Sequence, residues 1–188
     1  MKILHTSDWH LGQRLLQMDR HEEFRLALDW LYSVIEKEEI EVLLVAGDIF
    51  DIGNPPNQAR QLYYRFLRRL LGSTCRHIVI TGGNHDSPAM LNAPRELLES
   101  FNIHVIGAAT DNIEEELLVL KNDKGAPELV VAAVPFLRDR DLRITKVGEE
   151  QQSRQARLQE GLQQHYQTLA DLAQPYADQG LPIIAMGH

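Results

Sequence analysis

The chain has 188 residues, of which 44% are hydrophobic and 24% charged, as is typical of a globular domain with a sizeable core. Its net charge of −8 at pH 7 argues against a general nucleic-acid-binding surface. Its single cysteine excludes an internal disulfide, and no apolar run or leader pattern indicates a membrane span or secretion. Composition therefore favours a cytoplasmic location without membrane contact.

The first part of the chain alternates apolar strands with amphipathic helices. Apolar runs predict three strands, at 1–7, 41–46 and 77–80. The spacing of Phe24, Leu28, Leu31 and Ile35 predicts a helix over about 19–38. A second helix is predicted from Asn57, as its N-cap, to about Leu71. A strand–helix–strand unit of this length favours parallel strands with a right-handed crossover.

The second part of the chain predicts a hairpin, a long helix and a last strand. A short helix over 92–100 and a strand over 103–106 come first. Strands over 117–120 and 129–134 are joined by the turn 122–125, which favours an antiparallel hairpin. A basic loop over 135–143 precedes a helix over about 149–175, whose apolar stripe is Leu158, Leu162, Leu169 and Leu172. The strand 181–186 completes a layered α/β domain.

Polar residues with metal-ligand chemistry follow four of these strands. They are Asp8 and His10, then Asp48, then Asn84 and His85, and finally His188. Gly82 and Gly83 break the strand before Asn84. Residues two apart in extended chain face the same way, so Asp8 and His10 are expected to address one point. Because ligands bind at the carboxyl ends of parallel strands, this set predicts a manganese, iron or zinc site.

Several nearby polar residues have two interpretations. Asp51 is either a ligand or base, or a loop residue bonded to local backbone, and we leave it outside the predicted site. Asp86 either orients the ring of His85 or caps the turn after the strand.

The wide apolar band of the helix over 57–71 indicates either a well-buried helix or a surface that packs on a second copy of the chain.

The ordered motifs D-x-H, G-D, G-N-H-D and G-H resemble those of the calcineurin-like metallophosphoesterases. Longer stretches are similar to the SbcD-type nuclease subunits of bacterial SbcCD complexes: HTSDWHLG at 5–12, AGDIFD at 46–51 and GNHDS at 83–87. The resemblance covers residues 1–188 and implies a fold of two sheets sandwiched between helices, with mixed strand directions. This family also has a G-H-x-H motif and a capping domain, which are absent here, so we expect a nuclease domain truncated before them.

The resemblance implies a role for each site residue. Asp48 would bridge two divalent ions, most simply manganese, with one carboxylate oxygen on each. Asp8 and His10 would complete one side, and Asn84 and His188 the other. His85 would face the scissile phosphate and act in catalysis rather than bind metal. Some relatives carry a catalytic histidine where this chain has Asp51.

The resemblance also implies a function and partners. The expected activities are single-strand endonuclease, 3′–5′ double-strand exonuclease and hairpin opening in DNA repair, recombination and replication. The expected partners are DNA, a coiled-coil ATPase of the SbcC type, and a second copy of the chain, bound through the helix region 57–71. Two alternatives stay open: a phosphoesterase for small molecules or phosphoproteins, and a non-catalytic dimerisation or interaction module. With two ligands missing, we expect residues 1–188 alone to be weakly active or inactive.

Overall fold

A computed structural model of the protein describes residues 1–142 and 151–188, except for the side chains of 151–154. The described chain forms two compact units, residues 1–107 with 188, and residues 108–187. The prediction that residues 1–188 are one truncated nuclease domain stays a prediction.

The first unit is built on a four-stranded parallel sheet. Its elements are β1 (Ile3–Thr6), β2 (Arg14–Leu15), β3 (Met18–Asp19), α1 (His21–Lys37), β4 (Val42–Ala46), α2 (Asn57–Leu70), β5 (His77–Thr81), α3 (Pro88–Asn92), α4 (Arg95–Glu99) and β6 (Ile103–Ile106). The order in the sheet is β1-β4-β5-β6, and every neighbouring pair is parallel. The predicted parallel strand–helix–strand arrangement is confirmed, and β2 and β3 add a small separate hairpin.

Burial explains why the central strands are continuous apolar runs. Every residue of β4 and β5 is buried, as expected for inner strands of a parallel sheet covered on both faces. The helix α1 contributes Leu28, Leu31 and Ile35 to the same core, as its spacing predicted. The buried strands therefore set where the polar side chains at their carboxyl ends lie.

Two predicted helix boundaries are wrong, and in both cases proline decides the outcome. Asn57 is the first helical residue rather than the N-cap, because Pro56 holds the capping position. The side chain of Asn57 instead accepts a hydrogen bond from Arg60. The predicted helix over 92–100 is shorter, Arg95–Glu99, because Pro94, which lacks the N–H that a helix interior needs, holds its capping position. A separate short helix, Pro88–Asn92, precedes it and was not predicted.

Most of the apolar band of α2 is buried in the core of its own unit. Its members Leu62, Tyr63, Phe66, Leu67 and Leu70 are all buried. Only Tyr64 and Leu71 are substantially exposed, at 38% and 41%. The width of the band thus follows from burial within one chain, and a dimer through 57–71 needs other support.

The second unit contains a three-stranded mixed sheet covered by one long helix. A 3₁₀ turn (Ile113–Glu116) precedes β7 (Leu117–Lys121), β8 (Pro127–Ala133), α5 (Gln151–Ala177) and β9 (Ile183–Met186). The β7–β8 pair is antiparallel and the β8–β9 pair parallel. The predicted hairpin and the α/β class with mixed strand directions are confirmed. Arg143 of the basic loop and the predicted helix start at 149 lie outside the described residues.

The packing of α5 differs in part from its predicted stripe. Leu169 and Ala173 are buried against the sheet, but Leu162 is 43% exposed. His165 lies on the inner face, where its Nε2 is 2.7 Å from an oxygen of the fully buried Glu116. A polar pair therefore replaces part of the expected apolar contact.

The helices in the described part of the chain include none with the length and hydropathy of a membrane span.

Candidate metal centre

The loops after β1 and β4 stay paired beyond the ends of the strands. The backbone N–H of Asp8 donates to the carbonyl of Gly47, at 3.1 Å, and that of His10 donates to the carbonyl of Asp48, at 2.9 Å. A further hydrogen bond from Leu11 to Ile49 continues the pairing. These contacts carry the parallel register of the sheet into the loops and place Asp8, His10 and Asp48 together.

Three of the predicted ligands have left-handed backbone conformations. The φ angles are 55° at Asp8, 46° at His10 and 50° at Asp48. Such angles are uncommon for residues with a Cβ and concentrate at functional sites. Asp8 and His10 do converge, with 3.8 Å between Asp8 Oδ1 and His10 Nε2. The expectation that extended chain would align them is wrong, because these turned conformations bring the side chains together.

Asp48 is the centre of the arrangement. Its Oδ2 lies 3.6 Å from His10 Nε2 and 3.4 Å from His188 Nε2. Its Oδ1 accepts a hydrogen bond from the backbone N–H of His85, at 3.0 Å. One oxygen of the buried carboxylate thus faces both imidazoles while the other accepts the backbone hydrogen bond, and the expectation of one ion for each oxygen stays a prediction.

His188 and Asn84 supply further electron pairs next to Asp48. His188 Nδ1 lies 3.0 Å from the carbonyl oxygen of Ala46. Since a carbonyl can only accept, Nδ1 carries a hydrogen, and Nε2 of the neutral ring presents a lone pair. That Nε2 is 3.2 Å from Asn84 Oδ1 and 3.4 Å from Asp48 Oδ2. Three acceptor atoms thus converge, an arrangement that a divalent cation would stabilise.

Two glycines make room for this cluster. A Cβ on Gly83 would overlap the side chain and backbone nitrogen of Asp48, and a Cβ on Gly47 would overlap the ring of His188. Gly47 also has a φ of 76°, which a residue with a side chain rarely adopts. The residues present fit a metal centre, because donor chemistry, backbone conformation and space all agree around Asp48.

His85 stands beside the cluster with its ring held by a different contact. Its Nδ1 lies 2.7 Å from the backbone carbonyl of Asp51, so Nδ1 carries a hydrogen and Nε2 is left for other contacts. This hydrogen bond has the largest effect and raises the pKa of His85. Burial, the next largest effect, lowers that pKa, and the nearby carboxylates of Asp48, Asp51 and Asp86 each raise it by less. The His85 side chain is exposed, and its ring meets that of His10 edge to face, at 5.0 Å.

Asp86 is a structural residue, which decides between its two interpretations. Its buried carboxylate accepts hydrogen bonds from the backbone N–H groups of Ile49, Phe50 and Gly83, at 2.9–3.0 Å. Burial raises the pKa of Asp86, and the three donors oppose that rise. Asp86 therefore joins the loops after β4 and β5, and its carboxylate orients backbone rather than the ring of His85.

Asp51, which the motif pattern did not include in the predicted site, contacts the site histidines. Its Oδ1 is 3.4 Å from His10 Nδ1, and its backbone carbonyl holds His85. The described residues contain two groups whose possible ligand atoms lie within 4.8 Å of one another: Asp8, Asp48 and His188, and His10, Asp51 and His85. The short spacing in Asp48-Ile49-Phe50-Asp51 was the available signal, but it could not show that the loop turns back on itself.

Comparisons with known proteins agree with these motifs. The family model described as calcineurin-like phosphoesterase matches residues 1–188. The chain is 41% identical to the SbcD subunit of the nuclease SbcCD from Escherichia coli K12, over all of this chain and 46% of that protein. It is 38% identical to the corresponding SbcD subunit from Rhodobacter capsulatus, over 80% of this chain and 39% of that protein.

A more distant relative is the DNA double-strand break repair protein Mre11 of Sulfurisphaera tokodaii, at 38% identity over 54% of this chain and 27% of that protein. The chain spans about half the length, or less, of these relatives. The resemblance to SbcD-type subunits is confirmed. The calcineurin-like phosphoesterase family is one that uses divalent metals. With the match over residues 1–188 and the ligand cluster around Asp48, the chain belongs to the calcineurin-like phosphoesterase family.

Proposed function

We propose that this chain is the catalytic part of a metal-dependent DNA nuclease subunit. The observation that carries the proposal is the convergence of acceptor atoms on Asp48 Oδ2, with Nε2 of His10 at 3.6 Å and Nε2 of His188 at 3.4 Å. The proposed metal ligands are Asp8, His10, Asp48, Asn84 and His188. Manganese is the proposed metal, bound as two ions.

DNA is the proposed substrate because the relatives are named as a nuclease subunit and as a DNA double-strand break repair protein. The proposed activities are single-strand endonuclease, 3′–5′ double-strand exonuclease and hairpin opening, in repair, recombination and replication. The site of action would be the cytoplasm of a bacterial cell, where the chromosome lies.

The residues of the chain divide the work of phosphodiester hydrolysis. Bound divalent ions would supply activated water near neutral pH and stabilise negative charge on the phosphoryl group. Asp8 and Asp48 hold compensating negative charge, and Asn84 and the two ligand histidines complete the set of donors. His85, with Nδ1 fixed on the carbonyl of Asp51, offers Nε2 to the substrate. A protonated His85 would stabilise the transition state and donate a proton to the leaving 3′ oxygen.

A coiled-coil ATPase of the SbcC type is the proposed partner, since the SbcD relatives are subunits of a complex by name. The net charge of −8 supports this, because an acidic chain gains DNA affinity from a partner with positive surface. A homodimer is also proposed through the α2 region. Its support comes from exposed apolar residues on the neighbouring helix α1, where Leu26 and Trp30 are 55% and 67% exposed.

Two other functions use the same observations. A phosphoesterase for small molecules or phosphoproteins would need the same ligands, so the site alone does not separate it from a nuclease. A non-catalytic dimerisation or interaction module would follow if residues 1–188 bound metal too weakly to act. We propose weak or no activity for these residues alone, because they contain no G-H-x-H motif.

The test is cleavage of a single-stranded DNA circle in Mn²⁺ by the full-length gene product that contains residues 1–188. We expect cleavage by the parent and a loss of about 10²–10⁴-fold in His85→Asn, because a general acid contributes that much. His5→Asn is the matched control, since His5 is an exposed histidine on β1 and its replacement should leave cleavage unchanged.

The outcomes separate the candidate functions. Equal cleavage by the parent and His85→Asn would remove His85 from the chemistry. No cleavage by metal-loaded parent, with the ATPase partner added, would contradict the nuclease. Hydrolysis of nucleotides or phosphopeptides under the same conditions would then favour the small-substrate phosphoesterase.

A further inference from the structure

We propose that Asp51 is a positioning residue that fixes both His10 and His85, the first through its carboxylate and the second through its backbone carbonyl. The inference rests on the proposed function, because it assigns His10 to the metal and His85 to the substrate. Its own observations are the contacts of Asp51 with His10, His85 and Gln13, and none of these contacts involves Asn84 or His188.

The two nitrogens of His10 face different groups. Nε2 faces the carboxylates of Asp8 and Asp48, at 3.8 and 3.6 Å. Nδ1 is buried, makes no well-formed hydrogen bond within the described residues, and lies 3.4 Å from Asp51 Oδ1. A histidine that binds metal through one nitrogen commonly donates the N–H of the other to a carboxylate, which sets the ring orientation and raises ligand basicity. Asp51 is placed to be that carboxylate.

Asp51 is itself held by a chain of hydrogen bonds. Its Oδ1 accepts from Gln13 Nε2, at 3.3 Å, and Gln13 Oε1 accepts from Arg20, at 2.7 Å. Arg20 also pairs with Glu23 and lies over the ring of Phe24 at the start of α1. The carboxylate of Asp51 is thus supported from the helix side, and its position does not depend on the loop alone.

The backbone of Asp51 contacts the second histidine, His85. Its carbonyl oxygen is 2.7 Å from His85 Nδ1, and its N–H donates to the carbonyl of Leu11, at 3.3 Å. Leu11 and Phe50 form an isolated parallel bridge just before it. One residue therefore fixes two rings that meet edge to face at 5.0 Å.

A direct metal ligand is the competing role for Asp51, because His10, Asp51 and His85 have possible ligand atoms within 4.8 Å of one another. The hydrogen bonds favour positioning. His85 Nδ1 is engaged by the carbonyl of Asp51, and the carboxylate oxygen nearest His10 already accepts from Gln13. The number of ions bound per chain and the tautomer of the His10 ring distinguish the two roles.

The test is calorimetric titration of Mn²⁺ into the protein and its Asp51→Asn variant. We expect affinity to fall about 10–100-fold, as is usual when a carboxylate behind a ligand histidine is lost, with the number of ions bound per chain unchanged. Asp111→Asn makes the same chemical change at an exposed position of the second unit and should not alter affinity. Gln13→Ala, which removes the support and keeps the carboxylate, should give a smaller fall.

The second readout is the ¹⁵N spectrum of the histidine side chains without metal. In Asp51→Asn we expect His10 to lose its preference for the Nδ1–H tautomer, while His85 keeps its own because the backbone carbonyl is still present. Unchanged Mn²⁺ affinity together with an unchanged His10 spectrum would overturn the proposal, and so would the loss of one bound ion. Neither readout requires cleavage, so a protein that cuts no DNA can still pass or fail this test.

Discussion

At the residue scale, the centre depends on side chains in backbone conformations that cost free energy. Asp8, His10 and Asp48 each have a positive φ, and such residues typically cost about 1–3 kcal/mol. The paired loops and the absence of a Cβ at Gly47 and Gly83 make these conformations possible. Backbone geometry thus brings the side chains of the candidate site together.

Gly83→Ala tests this organisation. The new methyl group would overlap Asp48, so we expect a loss of about 1–3 kcal/mol in the free energy of unfolding and weaker Mn²⁺ binding. The measurements are urea unfolding in EDTA and calorimetry.

Gly53→Ala is the matched control for that substitution. Its Cβ would make only ordinary contacts, with Ser87 Cβ at 3.7 Å, and its φ lies outside the left-handed range. We expect unchanged stability or a gain of up to about 1 kcal/mol. Equal effects of the two substitutions would contradict a specific role for the space beside Asp48.

The predicted ligands show what sequence can supply at this scale. The residue types and their order pointed to Asp8, His10 and Asp48, and the structure brings them together. The conformation that does so could not be predicted, because φ at Asp8 and His10 depends on the parallel pairing with the loop after β4. The position of Asp51 was unpredictable for the same reason, since its contact with His10 arises only when that pairing forms.

At the element scale, Asp86 joins two loops of the sheet. Its carboxylate binds the N–H groups of Ile49 and Phe50 after β4 and of Gly83 after β5. Where the backbone pairing between β4 and β5 ends, N–H groups of the two loops donate instead to the buried carboxylate of Asp86. The loops that carry Asp48 and Asn84 are therefore fixed to each other.

Asp86→Asn should loosen this connection. The amide keeps one acceptor and sets its NH₂ against backbone donors, so we expect a loss of at least about 1.5–3 kcal/mol in the free energy of unfolding. Asp19→Asn is the control, because the exposed Asp19 accepts one backbone hydrogen bond, from His21, and Asn can do the same. We expect its effect to stay within about 0.5 kcal/mol. Urea unfolding that shows no larger effect at Asp86 would mean that its carboxylate does not hold the two loops together.

Elements were predictable where a long pattern existed. The buried runs of β4 and β5 and the four-three spacing of α1 gave the correct type and nearly correct bounds. Errors arose where a single residue or a tertiary contact decided the outcome. Proline set the start of α2 and delayed the start of the helix predicted over 92–100 to Arg95. On α5, His165 pairs with the buried Glu116, while Leu162 of the predicted stripe is exposed.

At the scale of the whole molecule, the net negative charge of the chain would oppose the approach of a phosphate to the candidate centre unless a cation were bound there. The chain carries a net charge of −8, and three of the carboxylates counted in it, those of Asp8, Asp48 and Asp51, lie at the candidate centre. Divalent ions would reverse the local sign and allow a phosphate to approach. An acidic phosphoesterase domain is therefore compatible with a polyanionic substrate when metal and a partner supply positive charge.

The most direct test of the central claim is a crystal structure of the protein grown with Mn²⁺, with anomalous scattering measured to locate the ions. We expect peaks within coordination distance of Asp48, adjoining His10 Nε2 or His188 Nε2, and their loss in Asp48→Asn. An ion bound instead between His10 Nδ1, Asp51 and His85, or no ion near Asp48 in a folded protein, would contradict a metal centre organised around Asp48.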